Sequence, residues 1–397
     1  MLQDTIKFFD SLQIMDTEDK QELSKFEKFV IKCAKRDPSI LRNHQSVYSI
    51  GKIYPSRWER RLKHSLDTYL QAEGMRLLEK AFSSGVETVM DETAMGENFK
   101  KEFGTVRKNE NGGASFEGEP IPFKVEDSFP APVYDGKGET FGDFMDELKY
   151  IASKIIEYAE DIFSDWVKMT VGVPYYPEER TAAIKRNWIN NFEILCESAN
   201  TETKKYIANE IWTAKQHGQN KREIYKAVES KYRAEIENAQ TEARKAAVKK
   251  EMEAAKAKEL SKAYDKLKAD IKEGLEERIS NKAELVARTE TGKLNQAATR
   301  AIHEEVGINY YQWHTTIDGR ERESHALLNR LICSHEDPAA QYIENEDSPG
   351  ILTRENRPAG SFEGEPGEDF QCRCSCTPYI PILHSKYRDK ILERLGG

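Results

Sequence analysis

Between residues 55 and 89 the apolar side chains Trp58, Leu62, Leu66, Leu70, Leu77, Leu78 and Phe82 fall near helical spacing. The pattern predicts one long amphipathic helix with Pro55 and Ser56 at its start. Residues 104–140 are rich in Gly, Pro, Asn and Asp, and predict loop with short strands. Helical patterns return at about 141–170 and are broken by "GVPYYPEER". No proline follows Pro177 until Pro338. Within that stretch "AIKRNWINNFEILCESANTETKKYIANEIWTAKQHG" predicts two helices. The segment at 233–272 is almost entirely Ala, Lys, Glu and Arg, all strong helix formers. Its Leu260, Tyr264, Leu267 and Ile271 share one stripe, which predicts a long exposed helix or a helical hairpin.

From residue 284 the character changes. "ELVARTETGKLNQAATRAIHEEVG" predicts a helix that Gly307 can end. In "INYYQWHTTID", Tyr311, Trp313, Thr315 and Ile317 alternate onto one face, as in a strand. A turn at Asp318-Gly319 and a short helix bearing His325 follow. "TPYIPIL" predicts a last strand after the cysteines. The hexapeptide "SFEGEP" occurs twice, in Glu110–Pro120 and in Glu355–Pro366, which predicts two similar loop-and-strand elements with Phe116 and Phe362 as buried anchors.

These patterns predict a mainly α protein with a small C-terminal α+β module, long helical N-terminal and central parts, and a projecting lysine/alanine-rich helix. The expected segments are an N-terminal helical region at 1–103, loop and strand at 104–140, and a helical domain at 141–232. The projecting helix or hairpin covers 233–283, the C-terminal module 284–385 and a tail 386–397.

Charge narrows the possible partners. The chain has a formal charge of −9, which argues against a protein whose task is coating nucleic acid. The lysines of 233–272 are interleaved with Glu and Asp, so few phosphates could be neutralised together and any DNA contact would be weak. The first residues lack a basic stretch followed by an apolar one, so no signal peptide is expected. No apolar run approaches the roughly 18 residues of a spanning helix, and no membrane partner is expected. The thiols are therefore expected to meet a reducing cytosol first.

Half of the six cysteines lie in "CRCSC", at Cys372, Cys374 and Cys376. If Cys372 and Cys374 alternate along a strand, their thiols face one side. Two thiolates and one imidazole supply three ligands of a tetrahedral zinc. His325 is the natural third ligand, and Cys376, Cys333 or His335 could be the fourth. A buried thiol cluster without metal, a disulfide formed after lysis, and a catalytic cysteine remain open alternatives.

The ordered elements Ala287 to Thr291 (Ala-Arg-Thr-Glu-Thr), Trp313, Asp318-x-Arg320-x-Arg322-x-x-His325, Pro366-Gly367 and Cys372-Arg373-Cys374 resemble the phage Mu F-like, or phage head morphogenesis, family of minor head proteins. The resemblance covers roughly 185–380. The alanine/lysine helix, Cys376, and Cys333 with His335 depart from the family pattern. The resemblance implies a minor head protein of a tailed bacteriophage or prophage, acting in few copies at the portal vertex, in a family of which some members travel into the cell with DNA. It implies the portal protein as partner, with capsid or scaffold proteins, and a place in the virion head or, during assembly, the host cytoplasm.

Arg288, Glu290, Asp318, Arg320 and Arg322 are expected to form a structural polar network. In it Arg288 or Arg322 pairs with Asp318, and Glu290 pairs with Arg320. Trp313 is expected in the core. No catalytic residue is assigned. The enzymatic alternative is a nuclease-like or ADP-ribosyl-transfer-like site around Arg288, Glu290 and His325.

Overall fold

The computed structural model describes Phe26, Val30 and residues 54–83, 105–108, 114–117, 141–171, 181–217, 220–316, 321–387, 389–390 and 393. The chain divides into two compact units. The first comprises Met1–His64, Met145–Asn190 and Glu284–Gly397; the second comprises Ser65–Phe144 and Asn191–Ala283. Among the described residues the chain is mainly α, with a small antiparallel sheet near the C-terminal end. No helix among them is long and apolar enough to cross a membrane.

The long helices are α1 (Ser56–Ser83), α2 (Phe141–Val171), α3 (Thr181–Gln216), α4 (Lys221–Glu237) and α5 (Glu242–Val306). A two-stranded hairpin, β1 (Thr105–Lys108) with β2 (Ala114–Glu117), sits between α1 and α2 in sequence. Helix α1 begins at Ser56, directly after Pro55, and buries Leu62, Leu66, Leu70, Leu77 and Leu78 along its stripe.

The second unit packs helix on helix. Tyr69 of α1 stacks on Phe144 of α2 with ring centroids 4.4 Å apart. Gly74 lies against Leu275 and Ile279 of α5. Helices α4 and α5 form an antiparallel hairpin: Lys256 pairs with Glu229 at 2.6 Å and sits 5.3 Å over the Tyr225 ring. The Asn220 side chain caps α4 by accepting from Glu223 N–H at 2.9 Å. Val228, Val248, Leu260, Leu267 and Ile271 are buried apolar positions of the hairpin.

Two expectations about helix number change. Residues 183–216 lie in one helix, α3 (Thr181–Gln216), where the sequence suggested two. The polar stretch Ser198–Thr203 contains neither Gly nor Pro, and Asn200 is buried beside the Tyr69 hydroxyl, so nothing interrupts the backbone ladder. Residues 233–237 end α4, whereas residues 242–272 and the helix expected from 284 are continuous within the 65 residues of α5. Gly274 does not break it, because the place of its missing side chain is taken by the Tyr206 hydroxyl.

The first unit is built on Leu148, Ile151, Ile155, Phe163 and Trp166 of α2, Trp188 of α3, and Ala287, Leu294, Ala298 and Ile302 of α5. Helix α5 ends in a Schellman motif. Gly307 has φ +76, Ile308 N–H donates to His303 O at 2.8 Å, and Gly307 N–H to Glu304 O at 3.2 Å. The chain then enters β3 (Tyr310–His314), whose Tyr311 and Trp313 are fully buried. After the short α6 (Glu323–Ala326) come β4 (Ile332–Ser334), β5 (Ala340–Glu344), β6 (Leu352–Asn356) and β7 (Ser375–Pro378), then α7 (Pro381–His384). The sheet order is β6-β5-β4-β3-β7, so the last strand returns to pair with the first. Trp313 lies opposite Cys376, and Tyr311 opposite Cys333.

The repeated hexapeptide does not take one shape. Ser115–Glu117 belong to β2, paired with β1, whereas Ser361–Glu363 have no regular structure. Ladder partners decide the backbone, and among these described residues only Ser115–Glu117 have them. Phe362 is half-buried against His325 at a centroid distance of 4.9 Å. The side chain of Phe116, and residues 110–113 and 118–120, lie outside what is described.

Candidate metal and thiol site

The Cys-x-Cys element comes to its place by a turn. Cys372 and Cys374 precede β7 rather than alternating along it. Gly367 has φ +82 and Gln371 φ +56, and Cys372 N–H donates to Asp369 O at 3.1 Å. The turn still aims both sulfurs one way. His325 Nδ1 lies 3.4 Å from Cys372 Sγ and 3.4 Å from Cys374 Sγ. The three ligand atoms lie within 4.8 Å of one another, and all three residues are buried. Backbone N–H groups of Gly367 and Cys374 each donate to Cys372 Sγ at 3.3 Å.

The imidazole is held from its other side. His325 Nε2 meets Asp369 Oδ2 at 3.0 Å. The same carboxylate oxygen pairs with Arg322 Nη1, while Arg322 Nη2 donates to Phe370 O at 2.6 Å. The Trp313 ring stands edge-on to His325 at 6.1 Å. Arg322 and His325, three residues apart around α6, thus converge on one acidic residue of the cysteine turn.

Electrostatics follow the geometry. The hydrogen bond from the Cys374 thiol, with the nearby imidazole, outweighs burial and holds Cys372 well below the ordinary thiol range. Cys374 moves the other way, because Cys372 occupies its proton and burial disfavours a second charge. Burial would lower His325, but Cys372 and Asp369 overcome it and raise its pKa. The cluster can therefore hold a thiolate beside an imidazolium, or lend two sulfurs and a nitrogen to a metal ion.

The other expected ligands lie elsewhere. Cys376 Sγ is 3.5 Å from Gln296 Oε1, and burial raises its pKa. Cys333 shares the buried core of Tyr311, Trp313 and Leu328, where burial again raises the thiol. His335 belongs to a second polar chain. His303 Nδ1 meets His335 Nε2 at 2.9 Å, and His335 Nδ1 meets Glu365 Oε1 at 3.0 Å. Gln296 donates to Glu365 Oε2 at 3.2 Å, and Arg300 reaches Oε1 at 3.3 Å.

The polar network has partners that sequence reading did not supply. Arg288 donates to Glu59 at 3.3 Å and Glu284 at 2.9 Å, and to Gln371 at 3.3 Å. Arg373, between the two cysteines, also reaches Glu59, at 3.2 Å. Glu290 pairs with Lys293 at 3.0 Å, and its backbone carbonyl accepts from the Trp188 indole at 3.1 Å. Thr289 Oγ1 accepts from Gln371 N–H at 3.0 Å, which fixes the cysteine turn to α5. Asp318 and Arg320 lie outside the described residues.

Residues 263–377 match the family described as Phage Mu protein F like protein. This stretch is similar to the Mu F-like family. The match takes in the last part of α5, the sheet through β7 and the whole thiol-imidazole cluster. The chain is also 31% identical over 162 residues to a protein of Haemophilus influenzae described as uncharacterized. That alignment covers 41% of this chain and 27% of the relative, so the chain spans about a quarter of the curated protein it matches. No solved structure matches.

Asp369, Glu365, Gln296, His303 and Glu59 were missed by sequence reading. Gln296, Arg300 and His303 are spaced four and three apart, so their common helix face was available as a signal. Glu59 offered none, since it lies 229 residues from Arg288.

His303 makes stability depend on pH. Burial first, then the neighbouring His335, drives its pKa well below the ordinary value of 6.5. A depressed folded pKa gives stability that is present above the unfolded value and lost as pH falls toward the folded one. The thermal midpoint is expected to fall between about pH 7 and about pH 5, with a shallower fall in His303→Gln. Glu365, also depressed, adds its loss only below its ordinary value of 4.5, after burial is outweighed by His335, Gln296 and Arg300. The raised pKa of His325 acts in the opposite sense, its contribution being lost as pH rises. Melts of the two proteins across this range check the difference, and parallel curves would sink it.

Proposed function

We propose that this chain is a minor head protein of a tailed bacteriophage or prophage, acting in head morphogenesis at the portal vertex. The observation that carries the reading is the Mu F-like match at 263–377, which contains the motif elements in order. Its partners are the portal protein and, during assembly, capsid or scaffold proteins; its place is the virion head. The polar residues serve the fold in this reading. Arg288 is engaged by Glu59 and Glu284, and Arg322 by Asp369, so each guanidinium already has a carboxylate partner. The thiol-imidazole cluster then acts as a clasp joining α6 to the turn before β7.

The test is mass spectrometry of purified virions and procapsids, with copy number per head, beside co-purification with the portal ring. A few copies per head and retention on the ring are expected. Absence from both particles would overturn the assignment. Loss of a nucleic-acid-degrading or nucleotide-modifying activity in His325→Ala, with the fold retained, would favour the enzymatic alternative instead.

A further inference from the structure

We propose that His325 Nδ1, Cys372 Sγ and Cys374 Sγ bind one zinc ion, with its fourth coordination position open to the adjoining cavity. The inference does not depend on the head-assembly reading. It rests first on convergence. Two sulfurs each 3.4 Å from one ring nitrogen sit close to the edge lengths of a tetrahedron built on Zn–S of about 2.3 Å and Zn–N of about 2.0 Å. A nucleophilic thiol needs one sulfur beside the imidazole; the second sulfur is explained by a metal.

The surroundings complete the argument. Asp369 Oδ2 accepts at 3.0 Å from the ring nitrogen left over, the carboxylate–histidine arrangement that orients a metal-bound imidazole. It leaves Nδ1 with its lone pair toward the sulfurs. The N–H groups of Gly367 and Cys374 point at Cys372 Sγ, as donors do at metal-bound thiolates. Charge also balances. Both thiols lose their protons to solvent on binding, and two thiolates with a neutral imidazole cancel the charge of the ion. Soft sulfur donors select zinc over magnesium or calcium.

Cys376, Cys333 and His335 have other partners, so the three residues form an open set among the described residues. All three also line a cavity of about 170 Å³, together with Thr316, Arg322 and Gln371. Water, or a small anion drawn by Arg322, can take the fourth position from there. Three protein ligands with one exchangeable position distinguish this site from the closed four-ligand sites of zinc fingers.

The full chain, purified under reducing conditions, would be analysed for metal, stripped with chelator and reloaded with Zn²⁺ or Co²⁺. One equivalent of zinc is expected, with a thermal midpoint that falls on chelation and recovers on adding Zn²⁺. The Co²⁺ protein should show a thiolate-to-cobalt charge-transfer band, and sodium azide should shift its visible bands. Cys372→Ser, Cys374→Ser and His325→Ala should abolish stoichiometric binding, whereas Cys376→Ser and Cys333→Ser should keep it. Asp369→Asn should weaken zinc binding about 10–100-fold without changing stoichiometry, as a positioning residue does. Wild-type protein that takes up no zinc, or that holds a Cys372–Cys374 disulfide after reduction and repurification, would overturn the site. Cobalt bands indifferent to azide would overturn its open position.

Discussion

Gly367→Ala is expected to destabilise the first unit by about 3 kcal/mol, the combined cost of left-handed backbone strain and overpacking. Gly367 has φ +82, and a Cβ there would lie 2.6 Å from the carbonyl oxygen of Gly292 on α5. The obstacle is helix backbone, which cannot swing aside as a side chain can. The converse change meets the same wall: a Cβ on Gly292 would lie 2.7 Å from Cys372 O and 3.2 Å from Gly367 O. Helix propensity alone would make Gly292→Ala favourable by about 1 kcal/mol, so a destabilised variant means the contact outweighs the propensity. Gly360 supplies the control, having φ +82 with nothing within 4 Å of a Cβ. Gly360→Ala is expected to lose only the strain, roughly 1–2 kcal/mol. Urea denaturation of the three variants, with hydrogen exchange followed at 284–306 and 367–378, checks the order. Equal losses at Gly360 and Gly367 would remove the packing argument.

Glu365→Ala is expected to cost about 3–5 kcal/mol, because it strips the charge partner from a buried chain. The side chains of Glu365 and His335 are each only 2% exposed. Removing the carboxylate leaves His335 Nδ1 and Gln296 Nε2 without the acceptor they share. Arg300 contributes less to the loss, since its side chain is 41% exposed and screened by solvent. Replacing both ends with apolar residues, Glu365→Leu with His335→Leu, should cost less than the sum of the single changes, because neither partner is then stranded. A double variant whose loss equals that sum would show that the two residues act independently. Thermal and urea unfolding give the three values needed.

The sequence was readable where one local rule acted alone. The stripe on α1, the Gly307 stop after α5 and the alternation of Tyr311 and Trp313 in β3 each depend on residues a few positions apart. The mainly α class with a small C-terminal α+β module followed from those signals. Reading failed where a distant partner decided the outcome. Asn200 sits within α3 beside the Tyr69 hydroxyl, and the "SFE" of the repeat is strand at Ser115–Glu117, where β1 offers a ladder, but not at Ser361–Glu363. The candidate site shows the same division. His325 and the two cysteines announced themselves by residue type. The turn that gathers the sulfurs, and the carboxylate of Asp369 behind the imidazole, depend on a left-handed Gln371 and on Arg322 of another element. Spacing within the Cys-x-Cys element carries neither.

The ion pair between Glu59 and Arg373 joins residues 314 positions apart. Ribosomes add about 5–20 residues per second, so the glutamate waits roughly 15–60 s for its arginine to be made. All of Ser65–Phe144 and Asn191–Ala283 is synthesised within that interval. The second unit can therefore assemble while the first still lacks its sheet and its cysteine turn. Until then the start of α1 carries an acidic group destined for burial, with Arg288 and Arg373 both still to come. Translation order therefore brings Arg373 and the cysteine turn to Glu59 only after the helices of the second unit have been made.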